Sequence, residues 1–200
     1  MIIVECEQRT DAWRAIRLGK ITASNADRLL TAPKRASYAQ ELIVELFATE
    51  QEEMYVNAAM QHGIDYESEA AAWYEAKTQR TVTPVGFVIH DDHPNYACSP
   101  DGLVGEDGLI EIKCPGSRAH IEHLDNGPGS KYNAQMQWQL FITGRSWCDF
   151  VSYSPRFDGE LRGSIQRVYR DEIYIGKLKA GAEKVMSKMD SFKSKMFKPF

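Results

Sequence analysis

Apolar positions along the chain change their period twice, and the changes divide it into helices, a run of strands and a closing helix. Residues 11–18 carry apolar side chains at helical spacing, behind Thr10 as a capping residue and ahead of Gly19 as a stop. A second short helix is expected to start near Ser24 and to end before Pro33. Ser37 and Gln40 have capping-box spacing, which predicts a helix through about Thr49. Residues 60–78 predict a longer helix with Tyr66, Ala70, Trp73 and Tyr74 facing inward. The period then shortens, and strands are expected over 81–90, 96–99 and 109–114. Residues 117–124 read as helical, Gly127-Pro128-Gly129 breaks the pattern, and 131–143 form a helix stopped by Gly144. Strands over 147–154 and 162–169 precede a last helix from Asp171 to about Met196. This order predicts one α/β domain over residues 1–200, a central mixed β-sheet flanked by helices.

Composition narrows the class. A chain of 200 residues, 43% hydrophobic and 26% charged, suits one globular domain with a sizeable core. It holds no apolar run near the roughly 18–20 residues that span a bilayer, and its start lacks the pattern of a signal peptide. Cys6, Cys98, Cys114 and Cys148 show no CxxC spacing, which argues against a zinc module or a disulfide framework and for a cytoplasmic protein with reduced thiols. His120 and His123 share a helix face without a third ligand at metal spacing. The net charge of −4 is unevenly spread. From Arg9 to Arg35 the balance is +5, from Ala36 to Ala76 there are nine acids and no Lys or Arg, and from Asp171 onward seven Lys face four acids. Local field rather than net charge governs contact with a polyanion, so a basic N-terminal segment can grip phosphate.

The chemistry concentrates in mid-chain. Nine residues separate Asp101, in Ser99-Pro100-Asp101, from Glu111 in Glu111-Ile112-Lys113. Side chains on a strand alternate faces, so Glu111 and Lys113 project together while Ile112 points into the core. Gly102, Gly105 and Gly108 allow the intervening segment to return as a hairpin, bringing the two carboxylates together beside Lys113. Two carboxylates and a backbone carbonyl make a hard oxygen site for Mg²⁺ or Mn²⁺, with a lysine able to hold or deprotonate an attacking water. An Asp-Gly turn followed by a solvated Glu-x-Lys face gives the same spacing. The apolar approach Tyr96-Ala97-Cys98 and the apolar strand end favour the metal reading, because charges placed there cost free energy unless they bind something.

With these elements placed, the chain resembles the lambda-exonuclease family of phage recombination nucleases, the YqaJ-type viral recombinases of the PD-(D/E)xK superfamily. The resemblance rests on Trp13-Arg14-Ala15-Ile16-Arg17-Leu18-Gly19-Lys20-Ile21-Thr22-Ala23-Ser24, Gly63-Ile64-Asp65-Tyr66-Glu67, Cys98-Ser99-Pro100-Asp101-Gly102-Leu103, Leu109-Ile110-Glu111-Ile112-Lys113-Cys114-Pro115 and Ala134-Gln135-Met136-Gln137. It implies a restriction-endonuclease-like core and a processive, Mg²⁺-dependent 5′→3′ exonuclease on linear double-stranded DNA. The expected products are 5′-mononucleotides and 3′ single strands for an annealing protein. It also implies a ring-shaped homotrimer around DNA, in a bacterial host cell and phage- or prophage-encoded, with no membrane partner. By the same match Asp101, Glu111 and the carbonyl of Ile112 are metal ligands, Glu67 and Asp91 stand near the second metal and the water, and Lys113 activates the water. Arg17, Thr22 and Ser24, completed by Ser99 and Gln135, match the pocket for the terminal 5′-phosphate, a chemistry suited to a guanidinium and hydroxyl donors. Lys34 and Arg35 match a segment that follows DNA, and Met60 falls where relatives place an apolar wedge at the duplex end.

Read as residues alone, several of these positions have ordinary uses. Arg17 suits a contact at a helix C-terminus, Ser24 a helix cap, Gln135 a solvated helix face, Glu67 a surface charge, and Met60 core packing. His62 stands where the family often carries Trp. Two rival functions remain, another end-processing PD-(D/E)xK nuclease and a non-catalytic DNA-end-binding recombination scaffold. The first expects a late cysteine cluster when it carries an iron–sulfur centre, and the second expects loss of Asp101, Glu111 or Lys113.

Overall fold

A computed structural model describes residues 1–50 and 57–197. Glu52, Glu53 and Lys198, counted in the charge blocks above, lie outside the described residues. The elements run β1 (Ile2–Val4), α1 (Asp11–Arg17), β2 (Ile21–Thr22), a 3-10 segment (Ala23–Leu29), α2 (Ala32–Phe47), α3 (Ala58–Thr78), β3 (Val82–Thr83) and β4 (Phe87–Ile89). They continue with β5 (Tyr96–Cys98), β6 (Gly102–Val104), β7 (Gly108–Lys113), α4 (Ser117–Asn126), α5 (Gly129–Thr143), β8 (Trp147–Tyr153), a 3-10 turn (Gly159–Leu161), β9 (Gly163–Tyr169) and α6 (Glu172–Met196).

Helices and mixed sheets make the α/β architecture that the pattern predicts, but the strands form two sheets rather than one. The larger has order β3-β6-β7-β8-β9, with β7 and β8 parallel and the other pairs antiparallel. The smaller has order β1-β4-β5-β2. The single strand expected over 81–90 is the cause of the difference. Pro84 offers no N–H to a ladder. A Cβ on Gly86 would lie 2.0 Å from the Cys6 carbonyl oxygen, so the backbone must pass close there. The chain therefore changes sheet between β3 and β4.

Two further boundaries differ. α2 begins at Ala32, with Pro33 in its first turn, where its missing N–H removes no helical bond and its fixed φ suits the helix. The segment after Thr22 is 3-10 rather than α, and Thr22, not Ser24, stands at its N-cap. The hairpin from Gly102 to Lys113 forms as expected, turning through Gly105 at φ +55°.

The larger sheet is packed on both faces. On one side α5 and α6 contribute Trp138, Leu140, Leu178 and Val185 to a core that includes Leu109 of β7 and Phe150 of β8. On the other, Ala70 and Tyr74 of α3 pack with Ile110 and Ile112 of β7 and with Val151 and Tyr153 of β8. Burying one such side chain is worth about 1.5–3 kcal/mol, so β7 is pinned in register from both sides. A slip of one residue would place Glu111 against α3 and Ile112 against α5.

Candidate active site

Register fixes the chemistry of β7. Leu109, Glu111 and Lys113 share the α5 face, while Ile110 and Ile112 take the α3 face, as alternation predicts. Glu111 is buried at 1% exposure, a position that costs free energy unless every carboxylate oxygen is satisfied. Three groups satisfy it. Gln135 Nε2 donates to Oε1 at 2.6 Å, Gln139 Nε2 donates to Oε2 at 2.7 Å, and the Lys113 ammonium pairs with Oε1. Gln135 and Gln139 lie one helical turn apart on α5, so one face of the helix presents both amides to the strand.

Asp101 reaches the same place from the turn before β6. Its Oδ2 accepts the Ile112 N–H at 2.6 Å, which ties the carboxylate to the strand beside Glu111. Burial, and then the neighbouring Glu111, push the Asp101 carboxyl well above the usual carboxylate range, with Lys113 pulling the other way. Burial works to lower the Lys113 ammonium, but Glu111 and Asp101 outweigh it and hold it above its ordinary value. Two carboxylates thus act on one ammonium, and the Lys113 Nζ itself lies over the Tyr132 ring, 5.3 Å from its centroid.

The turn that carries Asp101 is clamped from the N-terminal segment. Gln8 Nε2 donates to the carbonyls of Val85 and Pro100 at 2.9 and 3.0 Å, and the Trp13 indole N–H donates to Ser99 Oγ at 2.9 Å. Thr10 caps α1 as expected, its hydroxyl accepting from the Trp13 N–H at 3.3 Å. Beside it Arg9 adopts φ +72°, and its guanidinium pairs with Glu67 of α3. A left-handed conformation costs a non-glycine residue roughly 1–2 kcal/mol, whereas an exposed ion pair returns about 0–1 kcal/mol. Glu67 acts electrostatically on Asp101 and on Cys114, so it borders the carboxylate site.

Arg17, Thr22 and Trp13 line a cleft of about 1000 Å³ between α1 and α2. The Arg17 guanidinium lies over the Trp13 ring, 4.1 Å from its centroid, and burial lowers its pKa. The Thr22 N–H donates to the Tyr38 hydroxyl at 3.1 Å, and Thr22 Oγ1 lies 3.4 Å from the hydroxyl of the exposed Ser24. Trp13 therefore joins the cleft to the carboxylate site through Ser99.

Other expected residues lie apart from this group. Asp91 is exposed and pairs with the Met1 amino group. Lys34 pairs with Asp27 at 2.7 Å, and Arg35 donates to the Leu29 carbonyl at 2.8 Å, so both brace the start of α2. Met60, in the first turn of α3, is 44% exposed, which removes the core-packing reading. His120 and His123 both meet Ser152 Oγ through Nδ1, at 2.9 and 3.1 Å, and His120 Nε2 meets the Leu161 carbonyl at 2.8 Å. Those bonds occupy them structurally. Among the described residues no three His, Cys, Asp or Glu side chains converge at metal spacing. Gln8, Arg9 and Gln139 were not legible as site residues. The solvated helix face read for Gln135 rests on Gln137 and Gln139 following it, yet Gln137 and Gln139 are both buried.

Comparison with known proteins places the chain in a family. Residues 12–146 match the YqaJ-like viral recombinase domain, a span that includes Trp13, Glu67, the carboxylate hairpin and both glutamines of α5. The fold is similar to an alkaline exonuclease from Laribacter hongkongensis, with 40% identity, TM-score 0.83, and 93% of this chain and 97% of that chain covered. The same exonuclease in complex with dAMP matches at 41% identity and TM-score 0.84, with the same coverage. A phage related exonuclease from Haemophilus somnus 129PT shares the fold at 15% identity and TM-score 0.73, over 89% of this chain and 96% of that chain. An uncharacterized protein, R354, of Acanthamoeba polyphaga mimivirus is 26% identical over 165 residues, 74% of this chain, and the match spans only 29% of that protein's length. With the domain pattern running over two-thirds of its residues and about two-fifths identity to a solved exonuclease across nearly its whole length, the chain belongs to the YqaJ-like viral recombinase family.

Proposed function

We propose that this protein is a Mg²⁺-dependent exonuclease that degrades linear double-stranded DNA processively from 5′ ends. It releases 5′-mononucleotides and leaves 3′ single strands for an annealing protein. The carrying observation is the buried Glu111 and the partly buried Asp101 acting on one lysine, in a chain 40% identical to an alkaline exonuclease. That relative's complex with dAMP, a mononucleotide, supports a product of this size.

The donor set suits a hard cation. It is made of oxygen only, its negative charge exceeds the single ammonium once both carboxylates are ionised, and its small number of protein ligands leaves room for the waters that Mg²⁺ retains. Asp101, Glu111 and the Ile112 carbonyl would hold the ion, with Mn²⁺ able to substitute and Glu67 nearby. When bound, such an ion supplies Lewis acidity at the scissile phosphate and a more acidic water.

The protein's own groups do the rest. Gln135 and Gln139 fix the plane of the Glu111 carboxylate, so that it is oriented before substrate arrives. Lys113, held by Glu111, is placed to orient the attacking water and manage its proton. The Ile112 N–H holds Asp101 against the strand. Arg17, Thr22 and Ser24 offer a guanidinium and hydroxyls to a terminal 5′-phosphate, with Ser99, held by Trp13, and Gln135, held on Glu111, completing that pocket. Lys34 and Arg35, which brace the start of α2, would turn to duplex phosphates when DNA is bound, and the exposed Met60 suits a wedge at the unpaired end. A ring-shaped homotrimer enclosing the duplex would account for processivity, and the work would be done in the cytoplasm of a bacterial host from a phage or prophage gene.

Linear duplex bearing a 5′-phosphate or a 5′-hydroxyl, incubated with Mg²⁺ or with EDTA, tests the reading. The expected result is mononucleotide release with Mg²⁺ alone, faster from the phosphorylated end. Release that persists in EDTA, or begins at 3′ ends, contradicts it.

A further inference from the structure

Arg9 is the feature of this site that packing does not account for. It stands in the turn after Gln8 with φ +72°, a conformation that glycine adopts freely and an arginine does not. Gln79, the other non-glycine residue with positive φ among the described residues, closes α3, where such a conformation is ordinary. Arg9 closes no helix. Its side chain and that of its partner Glu67 are 42% and 31% exposed, so water weakens the pair and the fold gains little from it against the strain. The strain is held in place by strong neighbours. Gln8 is bonded to the carbonyls of Val85 and Pro100, and the Thr10 hydroxyl donates to the Glu7 carbonyl at 2.7 Å and caps α1. The residue joined to Gln8 through Pro100 is Asp101 itself. A guanidinium is thus fixed at the mouth of the carboxylate site, half exposed, facing a carboxylate that borders Asp101.

We infer that Arg9 is a DNA-binding residue of this site. It pairs with Glu67 while the site is free of DNA and transfers its guanidinium to a backbone phosphate oxygen of the entering strand, releasing the Glu67 carboxylate toward Asp101. The exchange is one of hydrogen bonds and ion pairs, with no covalent change. A guanidinium forks onto phosphate as it does onto carboxylate, so the same donors serve both partners. The inference rests on the proposed action on DNA, and it adds a second cationic contact to that of Arg17.

Binding of a fluorescent 5′-phosphorylated duplex to the full chain in EDTA separates the two ideas. Arg9→Gly relieves the backbone strain, so its melting temperature is expected to equal or exceed that of the wild type. Its affinity for the duplex is expected to fall by about tenfold, with the slope of log affinity against log salt shallower by about one ion. Arg9→Lys is expected to recover most of the salt slope. Glu67→Gln removes the competing carboxylate and is expected to bind duplex more tightly, a gain that disappears in Arg9→Gly/Glu67→Gln. An unchanged affinity and salt slope in Arg9→Gly, or a Glu67→Gln gain that persists in the double variant, overturns the inference. Wild-type protein that releases mononucleotides with Mg²⁺ yet binds no duplex in EDTA overturns this inference alone, whereas wild-type protein that releases none with Mg²⁺ overturns the proposed function itself.

Discussion

Neighbouring strands of the larger sheet each bury a carboxylate, and the two are treated in opposite ways. Asp149 of β8 is paired across the ladder with Ile110 and faces α3. Arg167 of β9 donates to both its oxygens at 2.8 and 2.9 Å, Tyr74 donates its hydroxyl at 2.7 Å, and Trp147 covers the guanidinium at 3.6 Å. One charge meets one opposite charge, and both carboxylate oxygens are held by donors. Glu111 of β7 faces the other way, receives two neutral amides, and shares its one lysine with Asp101. Burial is equally complete at the two carboxylates, each 1% exposed. Charge balance differs, and it is the unbalanced site that the proposed cation would complete. A buried carboxylate alone is therefore a poor marker of function, whereas a buried excess of carboxylate over cation is a good one.

The largest effects expected from this contrast are on chemistry. Asp101→Ala and Glu111→Ala should abolish nuclease activity and Mg²⁺ binding together. Lys113→Ala should abolish activity while still binding Mg²⁺, and full activity in that variant would remove its assigned role. Asp149→Ala should do the reverse. Breaking a buried pair costs about 3–5 kcal/mol, visible in urea unfolding, yet the protein that remains folded should keep its rate per molecule.

Arg17→Ala comes next. Loss of charge-assisted hydrogen bonds to a terminal phosphate typically costs about 1.5–3 kcal/mol or more. First-cut rates on 5′-phosphate and 5′-hydroxyl ends should become nearly equal, with Mg²⁺ affinity unchanged. A wild-type ratio between the two ends would show that the phosphate is anchored elsewhere.

The smallest effect is on stability without metal. The Asp101 carboxyl is raised in the folded protein, so folding takes up a proton and stability falls as pH rises from the ordinary carboxylate range through the raised value. Asp101→Asn removes that penalty while its side-chain carbonyl can still accept the Ile112 N–H. In EDTA the variant should melt above the wild type, by roughly 2–4 °C per kcal/mol removed for a domain of this size, and the difference should widen as pH rises. Melting at or below the wild type at every pH would show that the two carboxylates do not oppose each other.

Much of this site was legible in the order of residues, because its parts are local. The period of two over 109–113 puts Glu111 and Lys113 on one face, and the glycines between Asp101 and Glu111 allow the hairpin that joins them. Thr10, Gly19 and Gly144 mark helix ends by their own conformational preferences. What was not legible depends on distant partners. Arg9 and Glu67 lie 58 residues apart, and Asp149 and Arg167 18 apart, with nothing in either segment to announce the pairing. α5 is buried on nearly all sides, so its glutamines carry the same pattern as a solvated stripe, and only their donors' geometry toward Glu111 separates the two uses. β1 and β2 have three and two residues, too few for any period, and exist because β4 and β5 offer them edges.

The direct test of the central claim is Mn²⁺ binding by electron paramagnetic resonance to the wild type, Asp101→Asn, Glu111→Gln and Asp149→Asn. The account predicts that the wild type and Asp149→Asn sequester the ion at the same affinity, while Asp101→Asn and Glu111→Gln leave it free in solution. Binding that survives Glu111→Gln, or that is lost in a folded Asp149→Asn, would place the metal elsewhere and contradict the claim that the unbalanced carboxylates form the site.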